Sequence, residues 1–128
     1  MSRASPRTLE SSYEAAILDL DGTVYLGDRL IAGVDESIAT LREVVGRVLF
    51  LTNKAIARRQ DYSEKLQRLG VEATVDDVVN SGWVTAQYVR ETYPDSEAFV
   101  VGETPLLDEF RDADVETTTE HPGDLVVA

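Results

Sequence analysis

Hydrophobic and polar positions along the chain fall into short blocks whose spacing switches between strand-like and helix-like. Ala15, Ala16, Ile17 and Leu18 form an apolar run inside Tyr13–Leu20, which suits a strand buried on both faces, as in a parallel sheet. Val34, Ile38, Leu41 and Val45 share one helical face, with Gly46 as the expected stop. A second buried strand is expected at Val48–Leu51. Tyr62, Leu66 and Leu69 repeat at helical spacing and end at Gly70. Asn80 or Ser81 can cap a third helix running to about Thr92, and Pro94 marks its end. Ala98–Val101 reads as a third strand closing at Gly102, Leu106–Arg111 as a brief helix, and Leu125–Ala128 as a fourth strand. This alternation predicts an α/β fold with a mainly parallel sheet and right-handed crossovers. Residues 1–12 carry Arg3, Arg7 and four serines but no apolar stretch. They read as a flexible N-terminal tail rather than a signal peptide, with order expected over 13–128.

Composition narrows the class. The chain has 128 residues with 12 basic and 24 acidic side chains, a net charge of −12 and a pI near 4.3. Such a charge opposes binding to nucleic-acid phosphates or to an anionic membrane, and 43% hydrophobic residues argue against wholesale disorder. Apolar runs such as Val48–Leu51 and Ala98–Val101 are too short to span a membrane. The absence of cysteine excludes disulfides, thiolate metal sites and cysteine nucleophiles. A soluble, cytoplasmic, acidic globular chain is expected. Of the 12 basic residues only Lys54 and Lys65 are lysines. Acidic excess with scarce lysine resembles the composition of proteins from salt-loving archaea, whose carboxylate surfaces stay hydrated in concentrated salt. At this charge, self-repulsion destabilises the compact state in dilute buffer.

The chemistry concentrates in Asp19-Leu20-Asp21-Gly22-Thr23, directly after the first expected strand. Ligands of open α/β sheets bind at the carboxyl ends of strands. Two acids two residues apart can share a divalent cation such as Mg2+, which prefers oxygen ligands. One carboxylate can then attack phosphorus while the other handles protons, and Gly22 lets the backbone turn out of the strand. Thr52 and Asn53, a hydroxyl and an amide at the end of the second strand and ahead of a helix, suit an oxyanion cradle.

Asp19-Leu20-Asp21-Gly22-Thr23-Val24-Tyr25 strongly resembles the first motif of the haloacid dehalogenase (HAD) superfamily, and Phe50-Leu51-Thr52-Asn53 its second. Val24-Tyr25-Leu26-Gly27, Gly33-Val34 and Lys65-Leu66-Gln67-Arg68-Leu69-Gly70 are similar to the NagD-like, or nitrophenylphosphatase-like, subgroup. The resemblance runs from about Tyr13 to Ala128. It implies a Rossmann-like three-layer core and a Mg2+-dependent phosphatase acting on a small phosphorylated metabolite. It also implies that Asp19 is the nucleophile and that Asp21 is the general acid and then the base. Asp19 would bind Mg2+ through its carboxylate and Asp21 through its backbone carbonyl. Gly22 and Thr23 would begin the turn beneath the phosphate, and Val24–Leu30, tipped by Gly27-Asp28, would be the flap over the site. Thr52 would hold phosphoryl oxygens and Asn53 would position substrate. The full-length protein is a candidate homo-oligomer.

The chain also departs from that pattern. Lys54 stands where the subgroup usually has a second asparagine, and its ammonium suits a phosphate or a substrate carboxylate, or solvent. The superfamily's later lysine and acidic pair are missing. Lys65 lies inside an expected helix, Val101-Gly102-Glu103 lacks the acidic pairing, Asp76-Asp77 and Asp112/Asp114 read as surface charge, and His121 as a loop residue. The resemblance puts the cap domain after Ala128, so the chain is expected to be the N-terminal half of a larger enzyme. Two alternatives are a catalytically incompetent phosphate- or metal-binding module and a response-regulator receiver. The receiver lacks support because Gly102-Glu103 stands where its phospho-acceptor belongs.

Overall fold

A computed structural model describes residues 13–128; the expected tail at 1–12 lies outside them. Strand β1 (Tyr13–Asp19) leads into a small hairpin of β2 (Tyr25–Leu26) and β3 (Arg29–Leu30), then helix α1 (Val34–Val44) and strand β4 (Val45–Thr52). Helix α2 (Arg59–Arg68), a 3-10 turn at Val75–Asp77 and strand β5 (Val78–Asn80) follow. The chain continues through α3 (Ser81–Thr92), β6 (Glu97–Val100), α4 (Thr104–Asp112), β7 (Glu116–Thr118) and β8 (Leu125–Val127). The α/β class and the parallel pairing are those expected.

The parallel strands do not form one sheet. They divide into β1-β4-β5 and β7-β6-β8, each three-stranded. Each sheet has its own core. Leu20, Val24, Ile38, Phe50, Leu66 and Val78 meet under the first, and Ala86, Val89, Ala98, Val100 and Phe110 under the second. Truncating a fully buried ring such as Phe50 to alanine removes about 3–5 kcal/mol. Arg58 ties the two halves together. Its guanidinium lies 3.8 Å from the buried carboxylate of Glu109 and also pairs with Asp112, both on α4.

Two local expectations are corrected. Gly46 does not stop α1: the helix ends at Val44 and β4 starts at once, with the Val45 N–H donating to Leu41. Gly46 is glycine because a Cβ there would lie 2.8 Å from the Glu14 carbonyl of the neighbouring strand. Nor is β1 buried on both faces, since Ile17 is 65% exposed. A parallel strand needs a layer on each side, and the described residues cover only one face of this sheet well. Strands β5 and β7 and the 3-10 turn escape the apolar pattern, being short or polar. Asp77 is more than surface charge, because its carboxylate accepts the Thr74 N–H at 2.9 Å and caps that turn. Among the described residues no helix is long and apolar enough to cross a membrane.

Candidate active site

The expected site residues converge at the carboxyl ends of β1 and β4. Asp19 is the last residue of β1 and lies in register with Leu51, one residue before Thr52. Leu20 is fully buried and fixes the segment. Its N–H donates to the Leu51 carbonyl at 3.2 Å, and its own carbonyl accepts the N–H groups of Thr23, Val24 and Tyr25. With Leu20 anchored inward, the neighbouring Asp19 and Asp21 side chains are left facing solvent. Gly22 supplies the left-handed bend (φ 80°), and its N–H closes the turn on the Tyr25 carbonyl at 2.9 Å. A side chain at that φ is strained. Among the described residues no backbone N–H donates to the Asp21 carbonyl.

Thr52, 2% exposed, ends β4. Its Oγ1 accepts the Lys54 N–H at 3.2 Å, and its hydroxyl stands within side-chain hydrogen-bond reach of the Tyr62 phenol. The Asn53 carbonyl is held by the Ser81 hydroxyl at 2.7 Å, while the Asn53 residue itself is exposed. Lys54 turns towards the acids, with its Nζ 3.5 Å from Asp21 Oδ1. Gly22, Thr52, Asn53 and Lys54 thus stand around the two aspartates as the spacing suggested. Glu103 follows β6 of the second sheet and directly precedes α4. His121 sits in an exposed loop, its Nδ1 3.4 Å from Glu97.

The structure adds three side chains that the sequence left out. Tyr25 on the hairpin is 1% exposed, and burial, with Asp21, Tyr62 and Asp19 nearby, pushes its phenol up to about 12. Burial and Asp21 raise Tyr62 as well, and its hydroxyl donates to the Lys54 carbonyl at 3.4 Å. Both phenols therefore stay protonated beside the aspartates at neutral pH. Lys65 does lie in a helix, α2, but its Nζ stacks 3.8 Å from the Tyr25 ring centre and stands 3.8 Å from Asp28 at the hairpin tip. These contacts bring residues 25, 62 and 65 together only through the tertiary fold, so no local spacing could reveal them. Asp21, Tyr25, Lys54, Tyr62 and Lys65 line one open cavity of about 370 Å3.

Among the described residues no three His, Cys, Asp or Glu side chains gather as a metal site. Asp19 and Asp21 nonetheless fit Mg2+, which takes one or two carboxylates and completes its shell with water and substrate phosphate. The unbonded Asp21 carbonyl is a further hard oxygen of the same kind.

A family model described as haloacid dehalogenase-like hydrolase matches residues 16–116. The sugar-phosphatase AraL of Bacillus subtilis is 40% identical over 104 residues, covering 81% of this chain and 38% of its own. Among solved structures, a 4-nitrophenylphosphatase from Thermotoga maritima matches with TM-score 0.81 and 37% identity, covering 89% of this chain and 43% of that one. A glycerol phosphate phosphatase from Mycobacterium tuberculosis, in complex with magnesium, matches with TM-score 0.78 and 29% identity over 88% of this chain and 35% of its own. The chain spans less than half the length of these relatives.

Proposed function

The chain belongs to the haloacid dehalogenase-like hydrolase family, and on that premise we propose that it carries the nucleophile of a Mg2+-dependent phosphatase hydrolysing small phosphomonoesters through an aspartyl-phosphate at Asp19. The observation that carries this reading is the pair of solvent-facing carboxylates at the end of a parallel strand, held apart by a buried leucine, beside a neighbouring strand that ends in Thr52. In the first half-reaction an Asp19 oxygen attacks phosphorus, and the bond to the leaving oxygen breaks as that oxygen takes a proton from Asp21. In the second, Asp21 takes a proton from water, whose oxygen attacks phosphorus and releases inorganic phosphate from Asp19. Thr52 donates its hydroxyl proton to the phosphoryl oxygens, and Asn53 positions the substrate. Lys54 holds Asp21 and adds positive charge beside the phosphoryl group. Asp19 and Asp21 would hold Mg2+, whose charge offsets that of the phosphate and of the two aspartates. The reading carries with it a cytoplasmic location and a salt-adapted surface, supported by the acidic excess and scarcity of lysine.

The relatives' names support phosphomonoester hydrolysis and differ in the ester they take. In the enzyme that carries this chain, Asp19→Asn lowers kcat towards p-nitrophenyl phosphate on the order of 10^4-fold or more. Asp21→Asn lowers it by roughly 10^2–10^4-fold. Folding of each variant is checked by circular dichroism. Turnover surviving in a folded Asp19→Asn protein refutes the assignment of Asp19 as nucleophile, and no turnover by the unsubstituted enzyme favours a binding module.

A further inference from the structure

We propose that Lys65 is a positioning residue: from α2 it holds the β2–β3 hairpin, and through the hairpin it sets where Asp21 delivers its proton. This rests on the phosphatase reading above and deepens it. The hairpin cannot hold itself. It has two residue pairs, Tyr25 with Leu30 and Leu26 with Arg29, joined through Gly27-Asp28. A two-stranded ribbon of that size is not stable alone in water. Its root is packed, with Tyr25 and Leu30 against the first core, while Leu26 and Asp28 face solvent. That root and the turn carrying Asp21 are one piece of backbone. The Gly22 N–H donates to the Tyr25 carbonyl at 2.9 Å, the Tyr25 N–H donates to the Leu20 carbonyl at 3.3 Å, and Asp21 bridges to Tyr25. A shift of Tyr25 therefore moves Asp21. Asp19 is held differently, in register with Leu51 inside the sheet, so lost hairpin support falls on the acid and not on the nucleophile.

Helix α2 supplies the fixed support. Leu66 is fully buried, and the Arg59 guanidinium donates to the carbonyls of Val75 at 2.9 Å and Val78 at 3.0 Å. Lys65, next to Leu66, reaches the hairpin at two points. Its Nζ lies 3.8 Å from the Tyr25 ring centre and 3.8 Å from Asp28 Oδ1. The two contacts differ in weight. The Asp28 side chain is 92% exposed, and water screens an ion pair there. Tyr25 is buried and the Lys65 side chain is 22% exposed, conditions that strengthen the attraction of an ammonium for a ring face. Lys65 thus grips the hairpin at its root, beside the Asp21 turn, and Asp28 steadies the grip. The consequence is catalytic because a general acid acts only within hydrogen-bond reach of the leaving oxygen.

The test uses the enzyme that carries this chain with p-nitrophenyl phosphate and phenyl phosphate, which differ in one nitro group. Nitrophenolate leaves with little help from an acid, whereas phenolate needs the proton. The readout is kcat/KM, which reports the first half-reaction, where Asp21 acts as acid. Lys65→Met keeps the aliphatic stem. It should lower kcat/KM for phenyl phosphate on the order of tenfold, and for p-nitrophenyl phosphate by less than about threefold. The Ki of inorganic phosphate should not change, because Lys65 acts on the hairpin and not on the phosphoryl group. Lys65→Arg, which can also stack on the ring, restores part of the loss. Asp28→Lys sets a like charge against Lys65 at an exposed position. It gives a smaller loss of the same selective kind and adds nothing in the Lys65→Met background. This second variant keeps the test valid if Lys65→Met does not fold. Equal losses for the two esters, a raised Ki for phosphate, or no loss in either variant overturns the positioning role alone. Failure of the unsubstituted enzyme to hydrolyse either ester overturns the phosphatase reading and the positioning role with it.

Discussion

Asp19 and Asp21 differ from the other acids of the chain in what lies between them. Leu20 is buried completely, so the backbone on either side is fixed while both carboxylates stay in water. That arrangement is legible in the sequence because it is local: a strand, an alternation of one residue, a glycine. Tyr25, Tyr62 and Lys65 are not legible, since the hairpin and α2 bring them to the aspartates across about 40 positions of chain. Tyr25 leads to a prediction with a definite sign. Its neutral phenol is favoured in the folded state, where it titrates near 12 instead of the ordinary 10.0. The unfolded chain therefore releases this proton first as pH rises. The stabilisation is complete below pH 10.0 and is lost as pH climbs towards 12. Urea titrations at a series of alkaline pH values should show Tyr25→Phe losing less stability than the parent over that window. Parallel losses in the two proteins contradict the assignment.

At the scale of elements, helices were easier to read than their neighbours. Helix α3 begins where Asn80 suggested. The Asn80 Oδ1 accepts the Trp83 N–H at 2.9 Å, and its Nδ2 donates to the Ala57 carbonyl at 3.0 Å. Gly70 does follow α2 with φ 96°. Strands β5 and β7 span three residues each and carry too little periodicity to register. The α1–β4 junction falls before the glycine for a physical reason: Gly46 serves the contact between strands, not the end of the helix. Gly46→Ala pushes a methyl group towards the Glu14 carbonyl. It should lower stability by about 1–3 kcal/mol, read as a fall in the denaturant midpoint. An unchanged midpoint would show that β1 can move aside.

For the whole molecule, parallel pairing and the α/β class follow from the alternation of blocks. The division into two sheets does not, because apolar patterning identifies strands without saying which pair. What joins the halves in the described residues includes the Arg58 bridge from the start of α2 to Glu109 and Asp112 on α4. The net charge of −12 acts at this scale as well. Going from roughly 0.1 M to roughly 3 M KCl shortens the Debye length from about 10 Å to below about 3 Å and screens the repulsion among carboxylates. The thermal midpoint should rise across that range. A midpoint indifferent to salt removes the case for a salt-adapted surface.

The central claim is that Asp19 accepts the phosphoryl group, and the covalent intermediate itself is the direct measure of it. The enzyme that carries this chain is mixed with p-nitrophenyl phosphate and Mg2+, quenched in acid within the first turnover and reduced with borohydride. Reduction converts a phosphorylated aspartate into homoserine, which tandem mass spectrometry locates in the peptide containing Asp19-Leu20-Asp21. The account predicts homoserine at Asp19 and an unmodified Asp21. Homoserine at Asp21 or at any other acid, or turnover with no reduced aspartate anywhere, contradicts it.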